Sequence, residues 1–222
     1  MSDPYAKCHY YGATHGIDVG PCQFLIPGAS SACMSLSLAA AHTIYNCSLH
    51  SDSLDAFEDV MYDTTTWDMS TREGVDIFNK WCVFNKKNAY SEVDELVDIY
   101  PHFTAHPASE DEGGLLNVNA IQKSIQRLSK YHAMLFTQGA STACICNTDY
   151  QKIAVFDSHG SIVEGRMFAV LFDAQDTLQI ATFVHACLTS GNVVKSKDEA
   201  VGRNWMEQGL NSVYSVCYIS FK

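Results

Sequence analysis

The chain changes character at Tyr131. Before it, apolar residues recur mostly at helical spacing; after it, β-type runs follow in quick succession. Helices first and an antiparallel meander second is the α+β pattern, with a helical N-terminal half packed on a sheet from the C-terminal half. The β runs cover residues 133–138, 141–147, 152–157 and 213–221, with turn signals at Gly139 and over 147–149. A helix over about 174–188 separates the last two. Upstream, a helix capped by Ser30 or Ser31 runs to about Asn46, and Ser51 or Ser53 caps a second that carries Leu54, Phe57, Val60 and Met61. Residues 70–85 form a third, Ser91 opens a shorter one, and 118–130 another. Residues 1–22 read as irregular, and 101–114, with two Pro and the acidic triplet Glu110-Asp111-Glu112, as a surface loop. One domain over residues 1–222 is expected, with about 50–120 as a helical elaboration.

Charge narrows the partners. The formal net charge is −11, from 14 basic and 25 acidic residues. A phosphate-backbone binder needs the opposite sign, so nucleic acid is not an expected partner, whereas a basic peptide or protein surface is compatible. The longest apolar runs fall well short of the roughly 20 residues that span a bilayer. The first residues, Met1-Ser2-Asp3-Pro4-Tyr5-Ala6-Lys7, lack the regions of a signal peptide. A monomer with no membrane association is expected.

Nine cysteines are scattered with no CxxC pair. That usage fits a reducing compartment such as the cytoplasm, where most thiols act as small buried hydrophobes. Cys144 and Cys146 have no second pair to complete a zinc site, so no metal is expected. His102 and His106 have helical ligand spacing, but Pro101 and Pro107 argue against a helix there. Both read as solvated loop histidines.

One short run carries chemistry. In Val155-Phe156-Asp157-Ser158-His159-Gly160, residues i and i+2 of an extended strand share a face, so Asp157 can orient the His159 imidazole. That is the base half of a nucleophilic group. Cys33, in a small-residue segment at an expected helix start, is the candidate nucleophile. A free thiol has a pKa of about 8.5, which a neighbouring His and a helix N-terminus both lower. Oxyanion donors are worth roughly 2.7–4 kcal/mol each in the transition state. The Cys33 backbone N–H and the amide of Gln23, ten residues upstream, are the candidates. Cys22 is a reserve nucleophile without the helix-start context.

Gln23, the segment Pro27-Gly28-Ala29-Ser30-Ser31-Ala32-Cys33-Met34-Ser35 and Phe156-Asp157-Ser158-His159-Gly160 together resemble the herpesvirus large tegument protein deubiquitinases and the viral-tegument-like deubiquitinases outside herpesviruses. In that family an Asp stands two residues before the His, whereas thiol proteases normally place the orienting residue after it. The likeness runs from about Gln23 to Leu188, with a Gln23 to Cys33 spacing shorter than the family's. It implies a papain-like fold with Cys33 as nucleophile, His159 as base and acid, Asp157 as orienting residue and Gln23 in the oxyanion hole. It also implies a cofactor-independent hydrolysis of ubiquitin (or NEDD8) conjugates after the C-terminal glycine. The basic tail of ubiquitin suits an acidic rim, for which Asp94, Glu95, Asp98 or the 110–112 triplet are candidates. Two rivals differ in what they require. A transglutaminase-like or arylamine acetyltransferase-like acyltransferase would place its carboxylate after the His. A non-catalytic ubiquitin-binding module would have a broken catalytic set, and this one is complete.

Overall fold

Strands from both ends of the chain meet in one sheet. The computed structural model describes residues 5–86, 90–108, 114–138, 141–160, 165–190 and 213–222. Its helices are α1 (Ala6–Tyr10), α2 (Cys33–His50), α3 (Leu54–Tyr62), α4 (Thr64–Asn85), α5 (Val118–Ile125) and α6 (Thr177–Ser190). Its strands are β1 (His15–Pro21), β2 (Phe103–Pro107), β3 (Gly114–Leu115), β4 (Ala133–Gln138), β5 (Ser141–Asn147), β6 (Lys152–Asp157), β7 (Arg166–Asp173) and β8 (Val213–Phe221). The sheet runs β1-β7-β6-β5-β4-β8-β2, every pairing antiparallel, with β3 attached to β8. Among the described residues no helix is long and apolar enough to cross a membrane.

The four β runs read from the sequence have the expected bounds. Four further strands, β1, β2, the two-residue β3 and β7, correct that reading. β7 is an unbroken apolar run, Met167 to Phe172, because both of its faces are buried; such a run carries no alternation to mark it as a strand. β1 lies in the segment expected to be irregular. It buries Ile17 and Val19 against β7, but Gly16, Gly20 and Pro21 disguise the pattern. β2 lies in the expected surface loop and pairs with β8 from Phe103↔Phe221 to Pro107↔Cys217. As an edge strand it tolerates a proline. His106 is therefore a strand residue, its Nε2 3.2 Å from Ser220 Oγ, while His102 is exposed and stacks on His42. The triplet 110–112 and the turn at Gly139 lie outside the described residues.

Alternation along the strands divides the core. Leu135, Cys144, Cys146, Ala154, Phe156, Ala169 and Leu171 face α2, α3 and α4. Phe136, Ala143, Ile145, Val155, Phe168 and Val170 face α5 and α6. The sheet is thus covered on both sides, and not only by the N-terminal helices that the sequence suggested.

α2 is buried on most sides and carries Ala39, Ala40 and Ala41, which let the sheet approach it closely. α4 crosses α2 at Gly74, where a Cβ would stand 2.8 Å from Leu36 Cα. Alanine in a helix is intrinsically favoured over glycine by about 1 kcal/mol. Overpacking a tight contact costs about 1–3 kcal/mol, so contact decides for glycine here. The two helices run antiparallel: Asn46 and His42 face Thr66 and Glu73 across one cleft, and Leu36 faces Gly74. The C-terminal end of α4 consequently lies at the Cys33 end of α2.

Candidate active site

Cys33 is the first residue of α2. The expected serine caps are not used: Ala32 occupies the N-cap with no side-chain bond, and the approach is made by backbone turns from Ile26 to Ala29 and Ala29 to Ala32. The thiol points at the sheet, where Thr142 Oγ1 donates to Sγ at 3.7 Å. Thr142 precedes Ala143, the β5 partner of Asp157. The nucleophile candidate therefore sits over the strand neighbouring the one that ends in Asp157.

Burial and helix start act oppositely on this thiol. The N–H groups of Met34 and Cys33 and the Thr142 hydroxyl favour the thiolate, whereas desolvation and the negative charge of Asp157 oppose it. Desolvation wins: Cys33 is 3 % exposed and its pKa is pushed up to about 11 from 9.0. This reverses the expectation of a lowered value. The folded chain holds this proton more tightly than the unfolded one. Its stabilising contribution is full below pH 9 and disappears as pH rises through about 11. A rise of that size corresponds to about 2–3 kcal/mol. Urea titrations at pH 8 and pH 10.5 should show a loss of stability that Cys33→Ala reduces. The half-buried Cys47 and Cys217 thiols, each also raised to about 11 by desolvation, add in the same direction.

Asp157 and His159 are brought together, but not by a strand pleat. β6 ends at Asp157, and His159 lies in the bend beyond it, before Gly160 at φ 64°. Asp157 Oδ1 accepts the backbone N–H of His159 at 2.7 Å and stands 3.3 Å from Nδ1 of its ring. An Asx-type turn thus folds the imidazole back onto its own carboxylate. With Nδ1–H held there, Nε2 is the nitrogen left for a proton from sulfur. Both side chains are buried.

Gln23 ties the two halves of the cluster. A bulge between Asp18 and Gly20 lies within β1, shortly before the strand ends at Pro21, and is pinned by the Gly20 N–H on Asp18 Oδ1 at 3.0 Å. Beyond it, the Cys22 N–H donates to the Gly165 carbonyl at 3.0 Å, and a 3₁₀ turn over Gln23–Leu25 follows. The Gln23 N–H donates to the Ser158 carbonyl at 3.0 Å, and Ser158 Oγ donates to Gln23 Oε1 at 2.8 Å. Gln23 Nε2 donates to the Ser30 carbonyl at 3.1 Å. One fully buried amide therefore joins the residue between Asp157 and His159 to the loop that delivers Cys33. An amide nitrogen carries two N–H donors, so one remains beyond the bond to Ser30.

The sequence reading passed over three neighbours. Ser158 lies inside the recognised motif and anchors Gln23. Thr142 was hidden in a β run. Phe24, next to Gln23, sets its ring 5.5 Å from that of His159. Cys22 is buried beside Gln23.

The acidic trio has its contacts elsewhere. Glu95 Oε2 accepts the Glu92 N–H at 3.0 Å, Asp94 acts electrostatically on Cys217 of β8, and exposed Asp98 lines a groove with Lys80 and Phe84 of α4. That groove is at the α4 end which faces the start of α2.

No protein-family model and no curated protein matches the sequence. Among solved structures the chain is similar to Pseudomonas avirulence protein AvrPphB, with 8% identity over 85% of this chain and 91% of the other and a TM-score of 0.43. It is also similar to the ubiquitin-specific protease encoded by a murine cytomegalovirus tegument protein, solved with a ubiquitin-based suicide substrate. There the identity is 15%, over 94% of this chain and 87% of the viral one, with a TM-score of 0.62. At that identity the likeness concerns the fold, and the fold of this chain is the papain-like fold of the viral cysteine protease.

Proposed function

We propose that this chain is a cysteine protease that cleaves ubiquitin conjugates, hydrolysing the isopeptide bond after the C-terminal glycine through a thioester on Cys33. The observation that carries this reading is the Gln23 amide, which links Ser158, between Asp157 and His159, to the Ser30 carbonyl ahead of Cys33. The fold shared with a viral ubiquitin-specific protease supports the choice of substrate, and NEDD8 is a second conjugate to examine.

Burial raises the thiol pKa and favours a mechanism in which the proton leaves as sulfur attacks, rather than one that starts from a preformed thiolate. His159 Nε2 takes the Sγ proton as sulfur attacks the glycine carbonyl carbon. The oxyanion is met by the Cys33 N–H and by an amide N–H of Gln23. The C–N bond then breaks, and the lysine nitrogen leaves with the proton from His159. Water adds to the thioester as His159 removes its proton. The C–S bond breaks and that proton returns to sulfur, restoring the thiol and leaving a carboxylic acid whose remaining proton passes to solvent. No cofactor is consumed. An acidic rim would suit the basic ubiquitin tail, and Asp98, which lines a groove with Lys80 and Phe84 of α4, is the carboxylate of the trio with an open surface beside it.

Incubation with ubiquitin propargylamide tests the assignment. One adduct on Cys33, absent in Cys33→Ala, is expected by intact mass and peptide mapping. A wild-type protein that forms no adduct with the ubiquitin or the NEDD8 probe overturns it.

A further inference from the structure

The 3₁₀ turn over Gln23–Leu25 sorts its side chains unusually. Gln23 is fully buried, while the next two residues, both large and apolar, are exposed: Phe24 at 47% and Leu25 at 64%. Gln23 faces inward because four groups hold it there: its own N–H and Oε1 at Ser158, Nε2 at Ser30, and its carbonyl under the Ile26 N–H at 3.2 Å. The turn therefore directs Phe24 outward beside His159, with the rings tilted by 55°. Leu25 stands next to it, near Gly165.

The chemistry fixes which side of the scissile bond this is. The nitrogen that leaves must lie within hydrogen-bond reach of His159 to take its proton. The leaving group therefore departs past the imidazole, and the exposed apolar surface beside that ring belongs to Phe24. A lysine side chain bound through its nitrogen presents four methylenes and no charge, and an aromatic face suits such a stem.

We propose that Phe24 seats the leaving lysine: the methylene stem of the ubiquitinated lysine crosses the exposed Phe24 ring, and Leu25 extends the seat toward the acceptor protein. The inference rests on the reading of Cys33 and His159 as a ubiquitin-cleaving pair. It adds a specificity determinant on the acceptor side of the bond.

Two substrates with the same ubiquitin separate a seat from a shield. In one, ubiquitin is joined to the ε-nitrogen of lysine in a short peptide. In the other it is joined to glycinamide, which has no stem. The readout is the ratio of their kcat/KM values. Burying one to two methylene equivalents predicts that Phe24→Ala lowers this ratio roughly four- to fifteenfold. Phe24→Leu should restore most of it, and Leu25→Ser should lower it less. An unchanged ratio in Phe24→Ala overturns the proposal, whether both rates fall together, as for a residue that only shelters His159, or neither moves. Failure of the wild-type protein to react with ubiquitin propargylamide is a separate result, and it overturns the ubiquitin reading itself.

Discussion

His159→Ala is expected to lower turnover of a ubiquitin isopeptide substrate by on the order of 10³–10⁴-fold, near the top of the range for loss of a general acid–base. The position in that range follows from the thiol. Burial raises the Cys33 pKa, so the thiol is overwhelmingly protonated at pH 7 and little attack proceeds without a base. The same loss deprives the departing amine of its proton. Asp157→Ala should cost less, because it removes an orienting contact at 3.3 Å and leaves the base in place. Steady-state kinetics, with circular dichroism to check the fold, make the comparison. Robust turnover by His159→Ala would show that the base lies elsewhere.

Gln23→Ala has the second largest expected effect, a fall of roughly 10²–10³-fold in kcat, the loss that follows removal of one oxyanion donor. The substitution also leaves the Ser158 hydroxyl and the Ser30 carbonyl without their partner, at about 1–3 kcal/mol of stability. Ser158→Ala separates the two consequences. It frees one end of the amide but leaves its N–H groups in place, so a loss of tenfold or less is expected. Melting temperature and kcat measured together decide between the roles. If kcat falls in proportion to stability and equally in both variants, Gln23 is a brace and not a donor.

The sequence was most legible where packing is one-sided or where chemistry concentrates residues. β4, β5 and β6 were found to the residue because turn signals bound them. α3 was found because Ser53, whose hydroxyl accepts the Ala56 N–H, caps a short amphipathic run. β7 was not found, since burial on both faces removes the alternation that identifies a strand. β1 and β2 were missed because their edge positions tolerate Gly and Pro, the residues that otherwise signal turns. Ser30 and Ser31 looked like helix caps, yet the Ser30 carbonyl is occupied by Gln23 and α2 begins later.

The candidate residues are nameable from the chain alone, because a thiol at a helix start, an Asp-x-His run and an upstream amide are local patterns. Their placement is not. Only the fold shows that Asp157 reaches His159 through an Asx-type turn, that Gln23 spans from Ser158 to Ser30, and that Thr142 meets the sulfur. The sign of the Cys33 shift is likewise tertiary. A helix start and a histidine are visible in sequence and favour the thiolate. Desolvation, which outweighs the groups that favour it here, depends on what packs over the sulfur, and that packing comes from strands more than a hundred residues away.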